Sequence, residues 1–442
     1  MKQPVRIVIV GGGYVGMYTA LRLQKKLSAG RAEITVVDPQ SNMTYQPFLP
    51  EAAAGSVEPR HVVVPLRKVL RKCRVLTAAV VQVEHARKLV TVAPMEGPTF
   101  ELAYDLLVMC PGSVSRLLPI PGLAEVGIGF KTIGEAIYLR NHVLSRLDLA
   151  ASTNEPERRR RALSFVFVGG GYAGVEAMAE LEDMARYALR YIKGIEPSDM
   201  RWLLVDAASR IMPEVSVSLA AYTVDRLAER GIDVRLDTRL ESVEGGHVRL
   251  SDGETFDAET VVWTAGVKAN PMLSDTDLAL DDKGRLPCRA NLTVIGAEGV
   301  FAAGDCAAVP DLSKDDPDAL CSPSAQHAVR QAKRLAANIV ATVRGGELRD
   351  YKHAYVGSVA SLGLYRGVAE IYGIKLRGIV AWFMHRTYHM SRMPTFNRKV
   401  RVLTDWTAAL LFRREVVSLG QLQQPRTEFE QAAGIRSLPR VS

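Results

Sequence analysis

Cysteine is scarce in this sequence, and its spacing fits neither a metal site nor a disulfide framework. The 442 residues include five cysteines, which is an odd number, and no C-x-x-C pair occurs among them. Such a set suits a reducing compartment, and free cysteines are usually buried. We therefore expect buried or unreactive thiols at Cys73, Cys110, Cys288, Cys306 and Cys321.

Long apolar runs are also missing. The first run, from Val5 to Val10, has six residues and ends in glycines, so it is too short for the core of a signal peptide and predicts a β-strand. No run approaches the roughly 18 residues that indicate a membrane-spanning helix. Any membrane contact is therefore expected to be peripheral. With 48% hydrophobic and 24% charged residues, the composition is that of a globular protein with two or three domains.

Positive charge is concentrated near the C-terminus. The formal net charge is +8, and residues 351–414 hold 11 Lys and Arg against Glu370 and Asp405. This segment carries no recognisable nucleic-acid motif and is rich in aromatic residues. An anionic lipid surface is therefore the favoured partner, and no nucleic-acid partner is expected.

The same strand, helix and strand pattern occurs twice. An apolar strand at 5–10 leads through GGGYVG into a helical segment ending near Lys26, and a strand at 33–38 follows, ending in Asp38. Later, a strand at 163–168 leads through GGGYAG into a long helical segment, and the strand RWLLVD ends in Asp206. One G-x-G-x-x-G motif is weak evidence, but two copies in this context predict two dinucleotide-binding units.

The three glycines of each motif have separate roles. The first permits a tight turn, the second lets the backbone approach a pyrophosphate, and the third lets helix and strand pack closely. The pyrophosphate then faces the N-terminus of the helix. The expected cofactor-binding glycines are Gly11, Gly13 and Gly16 in the first copy, and Gly169, Gly171 and Gly174 in the second.

Asp38 and Asp206 are each placed to accept hydrogen bonds from the ribose of an adenosine. A carboxylate repels a 2′-phosphate, so Asp206 favours NADH over NADPH, although nearby Arg210 weakens this preference slightly. Two dinucleotide sites in one chain imply a bound flavin and a diffusing nicotinamide, because hydride transfer needs a donor and an acceptor stacked together.

The motifs together resemble those of the two-dinucleotide-binding flavoprotein superfamily. The matching segments are GGGYVG, GGGYAGVE, WTAG at 263–266 and VFAAGDCA at 300–307. The resemblance implies that the first site binds FAD non-covalently and that the second binds the nicotinamide nucleotide, expected to be NADH. It also implies that Asp305 contacts the ribityl or phosphate part of the flavin and that Gly266 is a cofactor-binding position.

The expected fold is therefore α/β, with two Rossmann-like dinucleotide-binding domains and a basic C-terminal membrane-binding region. We expect an FAD domain in two parts, 1–115 and 286–350, an NAD domain at 116–285, and a membrane-association region at 351–442. The charged residues 152–161 predict a loop or a frayed helix end before the second glycine motif.

One loop narrows the resemblance to a single family. No cysteine occurs between residues 1 and 72, which excludes the chemistry of disulfide reductases. The residues around Tyr45, Gln46 and Pro47 instead look like the flavin-covering loop of type II NADH dehydrogenases, the single-subunit NADH:quinone oxidoreductases that pump no protons. This resemblance spans residues 6–420 and implies that Gln46 binds cofactor and that electrons pass from NADH through FAD to a quinone, expected to be menaquinone.

The resemblance also implies the catalytic residues, which are Glu176, Gln326, Arg330 and Gln331, and a cofactor-binding role for Ala325. In that family quinone lies against a helix with the pattern A-Q-x-A-x-Q-Q, and this chain has A-Q-x-A-x-R-Q from Ala325 to Gln331. Gln326 and Arg330 are four residues apart and share one helix face. Arg330 departs from the pattern; it could bind a quinone oxygen or indicate a different acceptor. Glu176 matches an acidic position near the nicotinamide and is a candidate for orienting NADH or moving protons.

Residues 376–414 look like the family's membrane-anchoring region, because amphipathic helices of this composition lie in the membrane interface. The expected location is the cytoplasmic side of the cell membrane, with an anionic lipid surface as partner and a homodimer as a further possibility. His385 and His389 are four residues apart, but no third ligand accompanies them, so no metal site is expected.

Three other functions stay open on the sequence alone. A ferredoxin- or rubredoxin-reductase-like flavoprotein would dock a soluble iron protein instead of a quinone. A sulfide:quinone oxidoreductase would need paired cysteines flanking the flavin. An apoptosis-inducing-factor-like flavoprotein would act mainly by binding partners and would turn over slowly with every small acceptor.

Overall fold

The computed structural model describes residues 3–353, 357–419 and 425–433, and the chain divides into two compact units. The first unit comprises Met1–Thr44, Val63–Arg116 and Gly266–Val356. The second comprises Tyr45–Val62, Leu117–Ala265 and Gly357–Ser442. Each unit therefore contains one of the two glycine motifs.

Helices occur in both units. In chain order they are α1 (Tyr14–Lys26), α2 (Leu49–Ala53), α3 (Leu66–Val69), α4 (Leu123–Val126), α5 (Ile133–Ser152), α6 (Pro156–Ala162), α7 (Tyr172–Ala188), α8 (Val217–Ala228), α9 (Ala325–Arg344), α10 (Gly378–Arg392), α11 (Phe396–Phe412) and α12 (Thr427–Ala432).

The strands are mostly short. In chain order they are β1 (Val5–Val10), β2 (Ala32–Asp38), β3 (Asn42–Thr44), β4 (Val63–Pro65), β5 (Arg74–Glu84), β6 (Leu89–Pro94), β7 (Phe100–Ala103), β8 (Leu106–Met109), β9 (Ser113–Ser115), β10 (Gly127–Gly129), β11 (Ser164–Val168), β12 (Arg201–Val205), β13 (Ile232–Arg235), β14 (Leu240–Ser242), β15 (His247–Leu250), β16 (Thr255–Asp257), β17 (Thr260–Trp263), β18 (Val267–Ala269), β19 (Leu286–Pro287), β20 (Val300–Ala302), β21 (Ala307–Ala308), β22 (Gly357–Ser361), β23 (Gly367–Ile371) and β24 (Ile374–Arg377).

The first unit is built on a sheet of strand order β20-β8-β1-β2-β5-β6-β7. The strands from β20 to β5 are parallel, and β6 and β7 continue the sheet as antiparallel strands. Ile7 to Val10 are buried, as expected for a strand covered on both faces. The expected strand at 5–10 and helix ending at Lys26 agree with β1 and α1.

The second unit contains a parallel sheet of order β10-β17-β11-β12-β13. The apolar residues of β11 pair with those of β12 and β17, and the buried face of α7 packs in the same core. The C-terminal part adds an antiparallel sheet, β22-β23-β24, followed by α10 and α11. The two sheets and their helices give the α/β class that the motifs predicted.

The observed unit boundaries differ from the expected ones in three places. Residues 266–285 were expected in the NAD domain, but they belong to the first unit. Residues 45–62 cluster with the second unit, because the Trp406 indole N–H donates to Glu51 at 2.6 Å and His61 contacts Asp405 at 2.6 Å. The region after 357 is likewise part of the second unit rather than a separate domain. Residues 156–162 form a separate helix, α6, where a loop or a frayed helix end was expected, with Pro156 in its first turn, where the missing N–H has no cost.

Candidate functional site

The first glycine motif forms a tight turn between β1 and α1. Gly11 has a φ of +105°, and a Cβ there would collide with the carbonyl oxygen of Cys110. A Cβ on Gly16 would collide with the carbonyl oxygen of Gly11, so only glycine allows this close approach of helix and strand. A Cβ on Gly13, by contrast, would meet no protein atom within 4 Å. Protein atoms therefore pack against Gly11 and Gly16, whereas the space beside Gly13 is free of protein atoms.

The second glycine motif has the same geometry within the second unit. Gly169 has a φ of +114°, and a Cβ there would lie 2.7 Å from Thr264 Oγ1. A Cβ on Gly174 would collide with the carbonyl oxygen of Gly169, whereas one on Gly171 would meet nothing within 4 Å. The duplicated sequence pattern therefore corresponds to two equivalent three-dimensional sites.

An aspartate anchors each turn from the end of the following strand. Asp38 accepts a hydrogen bond from Gly12 N at 2.6 Å and another from a backbone N–H two residues later. Asp206 accepts equivalent bonds from Gly170 N and from the N–H two residues later. Burial raises the pKa of the Asp38 carboxyl, and its two backbone hydrogen bonds oppose that rise. Both aspartates hold the glycine turn as well as being placed for the predicted ribose contact.

A diphosphate fits both turns. Gly13 and Gly171 are the N-cap residues of α1 and α7, they carry no capping side chain, and neither first turn holds an acidic residue. The N–H groups at such a helix start bear partial positive charge and bind phosphate. The empty space beside the two N-cap glycines leaves room for the ligand.

The loop after β20 belongs to the first unit's site. Asp305 accepts a hydrogen bond from the Ser113 hydroxyl at 2.6 Å. The adjacent Gly304 N–H donates to the side-chain oxygen of Gln331 at 2.7 Å, and Gln331 is only 1% exposed. The amide oxygen of Gln331 thus supports the loop that carries Asp305. The quinone contact predicted for Gln331 stays a prediction.

Helix α9 carries the remaining residues of the quinone motif. It starts at Ala325, where the Ser324 hydroxyl caps it by accepting from His327 N at 3.2 Å. The Arg330 guanidinium donates to the backbone and side-chain oxygens of Gln326 at 3.2 and 3.4 Å. The expected shared face of Gln326 and Arg330 is thus present, and the two side chains contact each other.

Gln46 and Gly266 lie in different units. Gln46 is in the second unit, where its side-chain amide lies 3.4 Å from the Lys131 carbonyl oxygen and donates to it. Gly266 begins the last segment of the first unit and has a φ of +88°, with no protein atom within 4 Å of a Cβ. Their predicted contacts with cofactor stay predictions.

Glu176 lies at the start of the second turn of α7 and is buried. Its Oε1 accepts a hydrogen bond from Ser361 N at 2.8 Å and lies 3.2 Å from Nε2 of His385. The His385 ring contacts that of His389, with centroids 4.6 Å apart. Burial, together with His385, holds the pKa of His389 well below its usual value. Glu176 is therefore bonded to the C-terminal part of its own unit.

Two arginines of the basic segment are buried in ion pairs. Arg414 lies 2.8 Å from Glu180, and Arg386 lies 3.4 Å from Glu51 with its guanidinium packed over Trp382 and Trp406 at 4.1 and 4.9 Å. These two arginines belong to the eight Lys and Arg of residues 376–414, the segment expected to contact lipid. Because they neutralise buried carboxylates, only the other cations of 376–414 are available to a membrane surface.

The exposed side of α10 and α11 is apolar. Along α11, exposed hydrophobic residues recur on one side at helical spacing, and Phe412 at its end is 82% exposed. The exposed apolar residues of the two helices are Ile379, Val380, Phe383, Phe396, Val400, Leu403, Leu410, Leu411 and Phe412. A patch of this extent marks a contact surface. Among the described residues, no helix combines the length and hydropathy needed to cross a bilayer.

Three supporting residues were not found from the sequence. Cys110 follows β8, and its thiol donates to the carbonyl oxygen of Gly11 at 3.5 Å. Thr264 follows β17, and its hydroxyl donates to the carbonyl oxygen of Gly169 at 3.0 Å. Ser113 holds Asp305. Cys110 and Thr264 occupy equivalent places in the repeat, so aligning the two copies beyond their glycines would have indicated them.

A further cluster was also missed. Ligand atoms of Asp311, Cys321 and His327 lie within 4.8 Å of one another, and the Tyr351 hydroxyl contacts His327 Nδ1 at 2.9 Å. Burial raises the pKa of the Cys321 thiol to about 11. Asp311 and Cys321 lie in the loop before α9 and His327 lies in the first turn of α9, at spacings that match no metal motif, so only the fold brings them together.

The sequence of this chain is similar to known family models and to known proteins. The pyridine nucleotide-disulphide oxidoreductase family model matches residues 5–332, and the NDH2 C-terminal domain model matches residues 355–415. The type II NADH:quinone oxidoreductase Ndh of Mycobacterium tuberculosis is 30% identical over 97% of this chain and 93% of its own length. The type II NADH:quinone oxidoreductase of Staphylococcus epidermidis is 29% identical over 86% of this chain and 93% of its length.

The chain belongs to the type II NADH:quinone oxidoreductase family. This confirms the family predicted from the loop around Tyr45 and from the two glycine motifs. The fold agrees, because the structure of NDH2 from Plasmodium falciparum superposes with a TM-score of 0.87, covering 94% of this chain and all of that one at 17% identity. The α/β class with two dinucleotide-binding folds is therefore confirmed as well.

Proposed function

We propose that this chain is an FAD-dependent NADH:quinone oxidoreductase that transfers electrons from NADH through bound flavin to a membrane quinone without pumping protons. The main support is the pair of equivalent glycine turns in a chain of the type II family. Each turn is anchored by an aspartate, and no protein atom lies close to its N-cap glycine. The family membership confirms FAD and NADH as the cofactors and a quinone as the substrate class.

The two glycine turns are proposed to bind different nucleotides. Gly11, Gly13 and Gly16, with Asp38 and Asp305, would hold FAD in the first unit, and the second turn would hold NADH. Bound FAD supplies an acceptor for the hydride of NADH and a donor for quinone. The protein positions the nucleotides, since helix starts bind their phosphates and anchored carboxylates hold their riboses.

The second turn should prefer NADH to NADPH. The Asp206 carboxylate lies at the end of β12 and is fixed by two backbone N–H groups, so it cannot turn away from a 2′-phosphate. The Arg210 guanidinium donates to the Pro213 carbonyl oxygen at 2.8 Å, which engages the cation that a 2′-phosphate would need. Asp206→Ala should raise the NADH KM by about tenfold, as loss of a charged hydrogen bond does, and leave flavin content unchanged.

Quinone is proposed to approach the face of α9 that carries Gln326 and Arg330. Their mutual hydrogen bond supports this role, because it orients the guanidinium beside the amide and leaves further N–H donors for a quinone oxygen. Menaquinone is the proposed quinone. Glu176 is proposed to orient NADH from the second turn of α7, where its carboxylate accepts a hydrogen bond from Ser361 N.

The proposed location is the cytoplasmic side of the cell membrane, with α10 and α11 against anionic lipid. The exposed apolar side of α11 and the cations Arg398, Lys399 and Arg401 support this arrangement, which is that of an interfacial amphipathic helix. A homodimer is compatible with the same surface, and contact of the apolar patch with a second copy would compete with membrane binding.

Steady-state kinetics of the purified flavoprotein test this function. NADH oxidation should depend on a water-soluble menaquinone analogue, should be slower with NADPH, and should yield one quinol per NADH. NADH oxidation that requires a ferredoxin and ignores quinones would instead support the ferredoxin-reductase-like alternative.

A further inference from the structure

A cavity of about 410 Å³ lies inside the second unit, away from its glycine turn residues. It is bounded by the C-terminal half of α7, by the loop between β22 and β23, and by α10 and α11. None of its lining residues belongs to the predicted nucleotide or quinone sites. The lining includes six arginines, two tryptophans and two tyrosines against one carboxylate, that of Asp183.

The floor of the cavity is formed by buried side chains that contact one another. Arg414 is 2.8 Å from Glu180 and 3.6 Å from Asp183, and Arg386 packs against Trp382. The Tyr365 ring also contacts Trp382, with ring centroids 5.0 Å apart. Arg386 and Arg414 are each less than 10% exposed, so their positive charge is held in place by carboxylates and aromatic rings.

The rim carries four exposed arginines, and two of them lack a carboxylate partner. Arg186 is paired with Glu182, and Arg366 is 3.8 Å from Asp183. Within the described ranges of the chain, Arg190 and Arg413 contact no carboxylate; Arg190 lies over the Tyr187 ring at 5.4 Å. The rim therefore presents uncompensated positive charge to the cavity.

The floor also holds a donor that lacks an acceptor. In the part of the chain that the structure describes, the buried indole N–H of Trp382 makes no hydrogen bond, whereas the Nε–H of Arg386, which also makes none, faces Glu51 Oε1 at 3.4 Å. Both residues are 7% exposed. Leaving a buried donor unsatisfied is costly, and native structures usually supply a partner. An anionic oxygen acceptor inside the cavity would provide one.

Apolar residues adjoin the same cavity. Leu410 lines it, and Leu411 and Phe412 follow on the exposed end of α11. A ligand with a phosphate among the arginines could therefore extend an apolar chain along this helix end. Guanidinium groups bind phosphate oxygens in pairs of hydrogen bonds, which makes arginine well suited to that head group.

We propose that this cavity binds the phosphate head group of an anionic membrane phospholipid. The proposal rests on the membrane location stated above. It adds one specific phosphate-binding site to the general attraction between the basic C-terminal segment and anionic lipid. One lipid phosphate would accept hydrogen bonds from the rim arginines and from the Trp382 indole, while its acyl chains would follow the apolar end of α11 into the bilayer.

Calorimetric titration of the flavin-loaded enzyme with short-chain lipids below their micelle concentration tests the site. Dihexanoyl phosphatidylglycerol should bind saturably, and dihexanoyl phosphatidylcholine should not. The double variant Arg190→Gln/Arg413→Gln should weaken binding by at least about tenfold, because each charged hydrogen bond contributes roughly that factor. Neither arginine has a carboxylate partner, so the variant leaves no buried charge unpaired.

A matched control removes the same charge elsewhere on the second unit. Arg158→Gln/Arg160→Gln changes two exposed arginines on α6, and it should bind phosphatidylglycerol as the wild type does. Equal binding by the rim variant, or saturable binding of phosphatidylcholine with the same affinity, would overturn the proposal. So would equally tight binding of glycerol phosphate, because the occupant would then be a free phosphate compound. NADH oxidation by a soluble quinone is measured separately on the wild type, so failure of this site leaves the proposed function untouched.

Discussion

The Arg414 guanidinium lies 2.8 Å from the Glu180 carboxylate, and both side chains are buried in the second unit. This pair joins the residue two places beyond α11 to the long helix of the nucleotide-binding fold. Burial disfavours the charged form of Glu180, but Arg414, Arg386 and the Ser361 hydroxyl outweigh it and lower its pKa. The C-terminal region is therefore part of the second unit's core.

Removing the cation should destabilise the protein strongly. Arg414→Met leaves Glu180 buried beside less positive charge, and breaking a buried pair in this way costs roughly 3–5 kcal/mol. Urea denaturation at neutral pH measures the loss. The double variant Glu180→Gln/Arg414→Met should recover much of it, and Arg413→Met, at an exposed neighbour, should change stability by less than about 0.5 kcal/mol. A small effect of Arg414→Met alone would show that the pair is dispensable.

The same variant should show a defined pH dependence. In the wild type, the lowered pKa of Glu180 gives stability that is present above its unfolded pKa of about 4.3 and is lost only as the pH falls below that value. In Arg414→Met, burial is no longer opposed by this cation, so the carboxyl takes up a proton more readily. The stability difference between the two proteins should therefore be smaller at pH 5 than at pH 8. A difference that does not change with pH would show that charge is not the cause.

Substitutions in the two glycine turns should affect flavin binding and NADH binding separately. Gly13→Val and Gly171→Val introduce the same side chain at equivalent N-caps, and at neither position would the Cβ meet protein within 4 Å. Any loss is therefore expected to come from collision with ligand. Gly13→Val should yield colourless protein, and Gly171→Val should stay yellow and lose NADH-dependent reduction. Absorbance spectra and NADH titrations measure both, and the reverse pattern would exchange the two site assignments.

Quinone reduction should depend on the face of α9. Gln326→Leu removes the amide that contacts Arg330, so it should impair reduction of a menaquinone analogue and spare reduction of a small artificial acceptor such as ferricyanide. Arg330→Gln provides the control, since it restores the family's A-Q-x-A-x-Q-Q pattern and should keep quinone activity. Equal loss of both activities in Gln326→Leu would mean that the residue supports the flavin instead.

Membrane attachment should depend on the exposed apolar side of α11. Phe396 is 80% and Leu403 is 51% exposed, and replacing both with Asp removes apolar area worth roughly 1.5–3 kcal/mol per side chain. Binding to anionic vesicles in a flotation assay should fall by at least about a hundredfold. Met95→Asp changes an equally exposed residue of the first unit and should have no effect. Unchanged flotation of the double variant would place the membrane contact elsewhere.

The nucleotide-binding cores were predictable because local patterns determine them. An apolar strand, a glycine turn and a following helix are read from adjacent residues, and β1 and α1 end where the pattern indicated. The anchoring function of Asp206 was not predictable, since it depends on a hydrogen bond to Gly170, a partner 36 residues away.

The domain assignment of residues 45–62 and the burial of two arginines could not be predicted, because they depend on contacts between residues far apart in the sequence. Residues 45–62 follow the first motif in sequence, yet Glu51 bonds to Trp406, some 355 positions later, and so joins the second unit. The basic segment was read as one charged face, but a count of charges cannot show which arginines find buried carboxylates. Arg386 and Arg414 became distinguishable from their neighbours only when Glu51 and Glu180 were placed beside them.

Anaerobic reduction and reoxidation of the bound flavin test the central claim most directly. Mixing the purified protein with one equivalent of NADH should bleach the flavin absorbance, and adding a menaquinone analogue should restore it within a single turnover. A ferredoxin added instead should leave the flavin reduced. If NADH fails to bleach the flavin, or if the ferredoxin reoxidises it while the quinone does not, the chain is not an NADH:quinone oxidoreductase.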